Sequence, residues 1–428
     1  ECYYQMFKKL LIFGVVAIIS LTSINVAAEA EESGQMFPDV GKEHWARSVI
    51  ESAVSKGYVS GYPDGKFRPN QDVARSEFVK MLAVALKLQP EGLSQPWYQS
   101  YDNALRKAGI LEDDDFHFLN YDAPITRLEL IRLSVKALDT AHIDKEEIEL
   151  VRLATETGLL RGLDGDLRLS SHTSRAEAAA FIERLLALRS GNGLPVDAAA
   201  HAKAKGLKAD PWGRVIRTTN LPKNATEYPY ILEGIPNAMY EMGYNKKFFP
   251  NGLGETSRQF HERLKSYKRE NIDKWLPNAE QWLNMAVNVD YRTIDERWVK
   301  EMGDLGNYFA RRDAIDSFYT RYAEKVRKEK IRIIGNVRLE PSIIVNDDLY
   351  RTFIRAKVEF KIVDAKNPKD VFFMSFQPKE GFEIGRWYRG YADIELGNMV
   401  TLPDTLTDMR VGHVYSTFFW NYDFNIKE

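Results

Sequence analysis

Apolar residues in the first half of the chain recur at helical spacing, in segments separated by loops rich in glycine, proline and aspartate. Residues 45–54 carry apolar side chains on one face, and Gly57 follows them as a helix stop. Residues 75–86 are apolar nearly all round, which is typical of a helix that is buried on most sides. The same order of amphipathic helix, loop and apolar helix recurs twice, which predicts an all-helical first half.

The pattern divides into three units of similar length, predicted at residues 36–88, 92–140 and 144–189. The second helix of each unit opens on a short polar motif that places an arginine at the first helical position. These arginines follow one another at nearly equal spacing: Arg75, Arg127 and Arg175. A single helix pair leaves one side of so apolar a helix uncovered, so the units are expected to pack against each other.

Three short motifs carry a family resemblance. Phe37-Pro38-Asp39-Val40 leads to Trp45-Ala46, a loop runs from Gly57 through Gly61 to Pro69, and Ser174-Arg175-Ala176-Glu177 opens the last helix. This array resembles the S-layer homology (SLH) family over residues 36–189. The resemblance implies a pseudo-threefold helical bundle whose grooves bind secondary cell-wall polysaccharide. Ala74 replaces the usual threonine, unit two lacks the glycine-rich loop, and unit three lacks the first motif and its tryptophan.

The motif at the second helices has a physical interpretation of its own. Thr126 and Ser174 are expected to cap their helices, with Glu129 and Glu177 completing capping boxes. Free N–H groups and the positive dipole end then favour an anion, and an arginine adds a planar fork for a carboxylate. The resemblance implies that this anion is the pyruvyl ketal of an anionic wall sugar. The alternative is that these side chains only cap helices and pair with each other.

The predicted site follows from the motif and from the resemblance. Its polysaccharide-binding residues are Arg75, Arg127, Arg175, Gly61, Gly109, Gly162 and Trp45. The residues predicted to cap helices at the site are Thr126, Ser174, Glu77, Glu129 and Glu177. Both Trp45 and Trp97 stand on apolar stripes, so packing in the core is the alternative for each tryptophan.

The N-terminus reads as an export signal. A positive region at Lys8 and Lys9 precedes an apolar run, and small residues then suit cleavage after Ala28 or Ala30. Residues 1–30 are therefore predicted to be a signal peptide, with residues 1–5 as an upstream extension. The apolar run is short for a spanning helix, so no membrane association is expected after cleavage.

The composition shifts to glycine, alanine and lysine over residues 190–210, which predicts a linker. Helical patterns follow over residues 256–267, 278–287 and 304–328. Five strand-like segments come after them: 331–339, 349–363, 371–376, 384–396 and 412–424. Helices followed by a run of strands predict an α+β domain with an antiparallel sheet over residues 211–428. Within it, residues 352–360 alternate most clearly, which predicts a half-buried strand.

Composition excludes several function classes. The 59 basic and 61 acidic residues nearly balance, so binding to nucleic acid through overall charge is not expected. The one cysteine, Cys2, precedes the predicted cleavage site, which excludes disulfides and cysteine-based chemistry in the mature chain. No catalytic motif stands out, and no metal or other cofactor is predicted.

Anchoring of an exported protein to the cell wall is the function that these features favour, and the ligand of residues 211–428 stays open. The alternative is an SLH-anchored hydrolase acting on wall or extracellular material, with a catalytic domain that the sequence does not reveal. The expected location is the cell wall or the S-layer.

Overall fold

The computed structural model describes residues 36–243 and 269–424, with gaps at 91, 93–94, 140, 142–143, 307–311, 347–351, 373–381, 399–408 and 412–420. The predicted signal peptide and the predicted helix at 256–267 lie outside the described residues. The chain forms two compact units that divide after Gly206. Among the helices of the described ranges, none combines the length and the apolar character that a membrane span requires.

The first unit is helical, and each repeat contributes two helices. The helices are α1 Arg47–Ser55, α2 Arg75–Ala85, α3 Gln99–Lys107, α4 Arg127–Leu138, α5 Glu147–Glu156 and α6 Arg175–Arg189. The first helix of each repeat packs on the second helix of another repeat: α3 on α2, α5 on α4 and α1 on α6. Because α1 packs on α6, the first repeat closes against the third.

A ring of backbone hydrogen bonds connects the three repeats. The Val73 amide donates to the Thr173 carbonyl at 2.9 Å, the Thr173 amide to Ile125 at 3.0 Å, and the Ile125 amide back to Val73 at 2.9 Å. Val73 and Ile125 have no exposed surface and Thr173 has 2 %. Each repeat therefore contacts both others through the residues that directly precede its second helix.

The predicted linker is partly integrated into the first unit. Helix α7, Ala198–Gly206, packs on α5. Ala200 and Ala204, one helical turn apart, are both buried, and their small side chains permit close approach. Arg152 on α5 donates to the Ala204 carbonyl at 3.4 Å. Residues 198–206 therefore extend the third repeat, and the boundary falls at the C-terminal end of the predicted linker.

The second unit is α+β with an antiparallel sheet, as the sequence predicts. Its helices are α8 Asn237–Glu241, α9 Arg269–Val287, α10 Glu296–Leu305 and α11 Arg312–Glu329. Its strands are β1 Val289–Asp290, β2 Arg332–Asn346, β3 Thr352–Asp364, β4 Trp387–Asn398, β5 Met409–Val411 and β6 Asn421–Asp423. They pair in the order β1-β2-β3-β4-β5, with β6 also on β4. One face, which includes Ile354, Val358 and Ile394, packs with α9, α10 and α11 in one core.

Two strand predictions differ from the structure. Residues 371–372 are not in a strand, and the remainder of the predicted strand 371–376 lies outside the described residues. Strand β3 is buried on both faces rather than half-buried, since Arg355 is 0 % exposed and Glu359 only 2 %. Arg355 pairs with Asp393 on β4 at 2.8 Å and donates to the Met239 carbonyl at 2.8 Å. The segment before α9 therefore covers the polar face of the sheet.

A second ion pair fixes the same covering segment. Arg214 donates to both carboxylate oxygens of Glu340 at 2.8 and 2.9 Å, and its Nε donates to Asp210 at 2.8 Å. Burial alone would raise the pKa of Glu340, but the Arg214 guanidinium holds it below its ordinary value. A buried carboxylate that stays ionised in this way ties residues 210–214 to strand β2.

Candidate functional site

The starts of α2, α4 and α6 do not offer the free N–H groups that the sequence predicts. The first amide of each helix donates at 2.9 Å to a backbone carbonyl of another repeat, in the pairs Arg75 to Ala123, Arg127 to Ser171 and Arg175 to Gln71. The second amides do the same at 2.8 to 3.0 Å, in the pairs Ser76 to Tyr121, Leu128 to Leu169 and Ala176 to Pro69. These donors hold the repeats together, so the helix starts do not leave them available to an anion.

Capping residues take up the next amide. Thr126 accepts from the Glu129 amide at 3.2 Å, and Ser174 accepts from the Glu177 amide at 3.3 Å. Glu129 and Glu177 accept in return from the cap amides at 2.9 Å. The predicted capping boxes are therefore present on α4 and α6. On α2 only half of the box forms, because Ala74 has no side-chain acceptor while Glu77 still accepts from its amide at 2.9 Å.

The 1–2 junction is the contact between Arg75 and the second repeat. Arg75 donates to both oxygens of Glu129, at 2.6 and 3.3 Å, and to the carbonyls of Phe118 and Asn120. It is 3 % exposed. All four of these hydrogen bonds are internal to the protein. At this junction the motif side chains therefore pair with each other, which is the alternative that the sequence left open.

The 3–1 junction is the contact between Arg175 and the loop of the first repeat, residues 60–67. Arg175 donates to the carbonyls of Phe67 and Ser60 at 3.0 and 2.9 Å, and lies 3.4 Å from Glu77. The Tyr62 ring lies over its guanidinium, 4.7 Å from the ring centroid. Burial raises the pKa of Tyr62, against the lowering effect of Arg175. A tyrosine therefore covers this arginine as a cation–π partner.

The 2–3 junction is the contact between Arg127 and the loop of the third repeat, residues 161–168. Arg127 donates to the carbonyls of Leu167 and Arg161 at 3.0 and 2.8 Å, while Glu177 stands off at 3.9 Å. Burial lowers the pKa of Arg127, and the Glu177 carboxylate offsets this only in part. Among the three motif arginines, this one has the weakest carboxylate partner.

The tryptophans are not core residues. Trp45 is 62 % exposed and Trp97 is 49 % exposed, although both lie on predicted apolar stripes. Each precedes the first helix of its repeat by two residues, so neither side chain lies under the helix. In the third repeat Lys145 takes this position. The packing alternative is therefore wrong for both side chains, and two aromatic rings are available at the surface of the first unit.

The three predicted glycines serve different local roles. A Cβ on Gly61 would come within 2.5 Å of the Phe37 ring, so a larger residue here would have to displace that buried side chain. Gly162 occupies the corresponding place in the third repeat, where its amide donates to Asp197 at 3.1 Å. Gly109 instead ends α3 at a φ of 70°, as Gly57 ends α1 at 77°. Gly109 is thus a helix stop and not a counterpart of the other two.

Sequence reasoning did not single out Arg161, Arg184 or Asp197. Arg184 on α6 donates to the Leu159 carbonyl at 2.8 Å. Burial, together with Arg161 and Arg127, lowers its pKa to about 10. A residue-by-residue comparison of the two loops would have indicated Arg161. It precedes Gly162 in the third repeat, where the uncharged Ser60 precedes Gly61 in the first.

In the residues that the structure describes, the second unit contains ion pairs with buried carboxylates, such as Arg214 with Glu340, but the acidic residues that flank its strands, Asp370 and Glu383, do not form a carboxylate pair. Asp370 pairs with Lys325 at 2.6 Å and Glu383 with Arg386 at 3.1 Å, so these carboxylates face cations rather than each other. No group of three acidic, histidine or cysteine side chains suited to a metal ion occurs in the described ranges. His413, which belongs to the predicted strand 412–424, lies outside the described residues.

Comparison with known proteins bears on the first unit. Residues 37–79 match the model of the S-layer homology domain family. S-layer protein EA1 of Bacillus anthracis is 27 % identical over 180 residues, which cover 37 % of this chain and 21 % of that protein. The amylopullulanase of Thermoanaerobacterium thermosulfurigenes is 31 % identical over 189 residues, covering 38 % and 10 %.

A further relative is exoglucanase XynX of Acetivibrio thermocellus, 29 % identical over 176 residues, covering 35 % of this chain and 16 % of that protein. The chain spans about a fifth or less of the length of these three relatives. The chain carries an S-layer homology domain, and this domain and the S-layer relatives indicate a secreted protein at the cell surface.

Proposed function

We propose that the first unit anchors an exported protein to the cell wall by binding acidic, pyruvylated secondary cell-wall polysaccharide at the junctions between repeats. The observation that carries this proposal is the match to the S-layer homology domain over residues 37–79, which contain Trp45, Gly61 and Arg75. The closed ring of backbone hydrogen bonds supports a pseudo-threefold arrangement of the repeats.

The geometry favours side chains over helix ends as the ligand-binding groups. Arginine carries five N–H donors, and the motif arginines donate some of them to acceptors within the protein, such as the Leu167 and Phe67 carbonyls. The guanidinium fork suits a carboxylate, and the Glu177 carboxylate lies 3.9 Å from the guanidinium of Arg127. The exposed rings of Trp45 and Trp97 present apolar faces on which a sugar ring can stack.

The second unit is proposed to be a displayed binding or structural module. A hydrolase remains the second candidate because two of the relatives are named as an amylopullulanase and an exoglucanase. Hydrolysis of wall material or polysaccharide in a gel overlay, lost on removing residues 207–428, would support that candidate.

The anchoring proposal is tested by binding the purified full chain to cell-wall sacculi, before and after chemical removal of the wall polymer. Arg127→Ala and Arg175→Ala are measured alongside, and each is expected to weaken binding about tenfold through loss of a charge-assisted contact. Binding that survives removal of the polymer would contradict the proposal. Circular dichroism of each variant separates lost binding from lost folding.

A further inference from the structure

The three junctions differ in how far their cations are neutralised. At the 1–2 junction and beside it, acidic side chains accompany every cation: Arg75 pairs with Glu129, Arg132 with Glu147, and Lys136 with both Asp115 and Glu112. At the 3–1 junction Arg175 faces Glu77, and Arg68 pairs with Asp64 at 3.0 Å. Neither junction leaves an arginine without a carboxylate.

The 2–3 junction has an excess of positive charge. Its loop pair, Arg168 with Asp164 at 2.6 Å, matches the pair of Arg68 with Asp64. Among the described residues, however, Arg161 and Arg184 form no ion pair, and Arg127 reaches Glu177 only at 3.9 Å. Arg184 occupies on α6 the place that Lys136 occupies on α4, but its Nε donates to the Leu159 carbonyl at 2.8 Å, whereas Lys136 pairs with the carboxylates of Glu112 and Asp115. Burial lowers the pKa of Arg184, and the charges of Arg161 and Arg127 add to this effect.

The 2–3 junction also differs from the 3–1 junction in what covers its arginine. Leu163 follows Gly162 where Tyr62 follows Gly61, so the aromatic ring that covers Arg175 has no counterpart here. Arg127 uses two of its five N–H donors in hydrogen bonds, to Leu167 and Arg161. Arg127 is buried, at 6 % exposure, whereas Arg184 is half-buried and Arg161 is exposed, so the Arg161 side chain is accessible to a ligand. A buried cation that lacks a close counter-charge stabilises a bound anion beside it.

One carboxylate of the protein, that of Asp197, lies at the loop of the 2–3 junction. Asp197 caps α7 by accepting from the amides of Ala199 and Ala200 at 3.1 Å, and its other oxygen accepts from the Gly162 amide at 3.1 Å. Hydrogen bonds from backbone amides lower the pKa of Asp197, and the Arg161 charge adds to this effect. Asp197 therefore stands beside Arg161 as an internal anion.

We propose that Arg127, Arg161 and Arg184 make the 2–3 junction the principal anion-binding groove of the unit, and that Asp197 competes with the acidic group of the ligand there. This inference rests on the proposed anchoring function and specifies which junction takes the acidic sugar. The ligand class is a polysaccharide with a carboxylate on its sugar, because the arginine forks match that group.

The test compares charge changes of opposite sign in the full chain. Arg161→Gln is expected to weaken binding to sacculi about tenfold, while Asp197→Asn, which keeps the helix cap, strengthens it about threefold. The matched control is Lys56→Gln, which removes one positive charge from an exposed pair with Glu183 at 2.6 Å. The control is expected to bind within about twofold of the parent chain.

A second measurement avoids the wall polymer. Inorganic phosphate at constant ionic strength should raise the unfolding temperature of the parent chain, and this rise should be absent in Arg161→Gln. If Arg161→Gln and Lys56→Gln behave alike while binding still requires the polymer, the 2–3 groove is not the principal site and anchoring stands. If binding does not require the polymer, the anchoring proposal itself fails.

Discussion

Equivalent residues in the three repeats share a position in the motif but differ in their surroundings. Arg75 is held by both oxygens of Glu129, Arg175 lies under the Tyr62 ring, and Arg127 has a carboxylate only at 3.9 Å. The differences come from residues distant in sequence, some on helices, as Glu129 is, and some in loops, as Tyr62 is. A motif that looks uniform along the chain therefore produces three chemically distinct junctions.

The incomplete capping box of α2 leads to a prediction at this scale. Ala74 has φ −71° and ψ 153°, close to the −80° and 159° of Thr126, so threonine fits its backbone conformation. Ala74→Thr should add the missing acceptor for the Glu77 amide and stabilise the fold by about 1 kcal/mol. Chemical denaturation of the full chain measures this change. Ala74→Val is the matched control, and an equal gain in that variant would show that the hydroxyl is not responsible.

At the scale of elements, helix α9 protects one edge of the sheet. Strand β1 pairs with β2 over only two residues, which leaves much of this edge without a partner strand. Asn284 donates to and accepts from the backbone of Val337 at 2.9 Å, and Asn288 does the same with Gly335 at 2.7 and 3.0 Å. These side chains lie one helical turn apart and replace a neighbouring strand, which guards an exposed edge against aggregation.

Asn284→Ala should leave both backbone groups of Val337 without these bonds and destabilise the second unit by about 2 kcal/mol. Urea denaturation followed by tryptophan fluorescence measures the loss, and hydrogen exchange at the Val337 amide locates it. Asn278→Ala, an exposed position on the same helix, is the control and should change stability by less than about 0.5 kcal/mol. Unchanged protection of Val337 in Asn284→Ala would contradict the role assigned to α9.

At the scale of the first unit, the ring of hydrogen bonds couples all three repeats. Removing one partner of a buried ion pair costs about 3 to 5 kcal/mol, so Glu129→Gln should sharply lower the unfolding free energy. Because each repeat contacts both others, hydrogen-exchange protection should fall in α2, α4 and α6 together. Glu51→Gln, in a half-buried surface pair with Arg47, is the control. Protection lost in α2 and α4 alone would mean that the repeats open independently.

The sequence by itself determined the helical first half, the capping boxes of α4 and α6 and the α+β order of the second unit, because each depends on local periodicity and capping. Glu129 and Glu177 follow their caps at the spacing of a capping box, and that spacing is visible along the chain. The family resemblance was confirmed over residues 37–79 for the same reason, since its motifs are short and contiguous.

Only the tertiary structure decided what depends on distant residues. It showed that neighbouring repeats take up the first helix amides, that Trp45 is exposed, and that residues 198–206 pack on the third repeat. It also showed that Arg355 is buried beneath the segment around Met239, which lies more than one hundred residues earlier in the chain. Periodicity reports which side of an element is apolar, but not what covers the other side. The hydrogen bond from Arg127 to the Arg161 carbonyl required the packing of the second repeat on the third for the same physical reason.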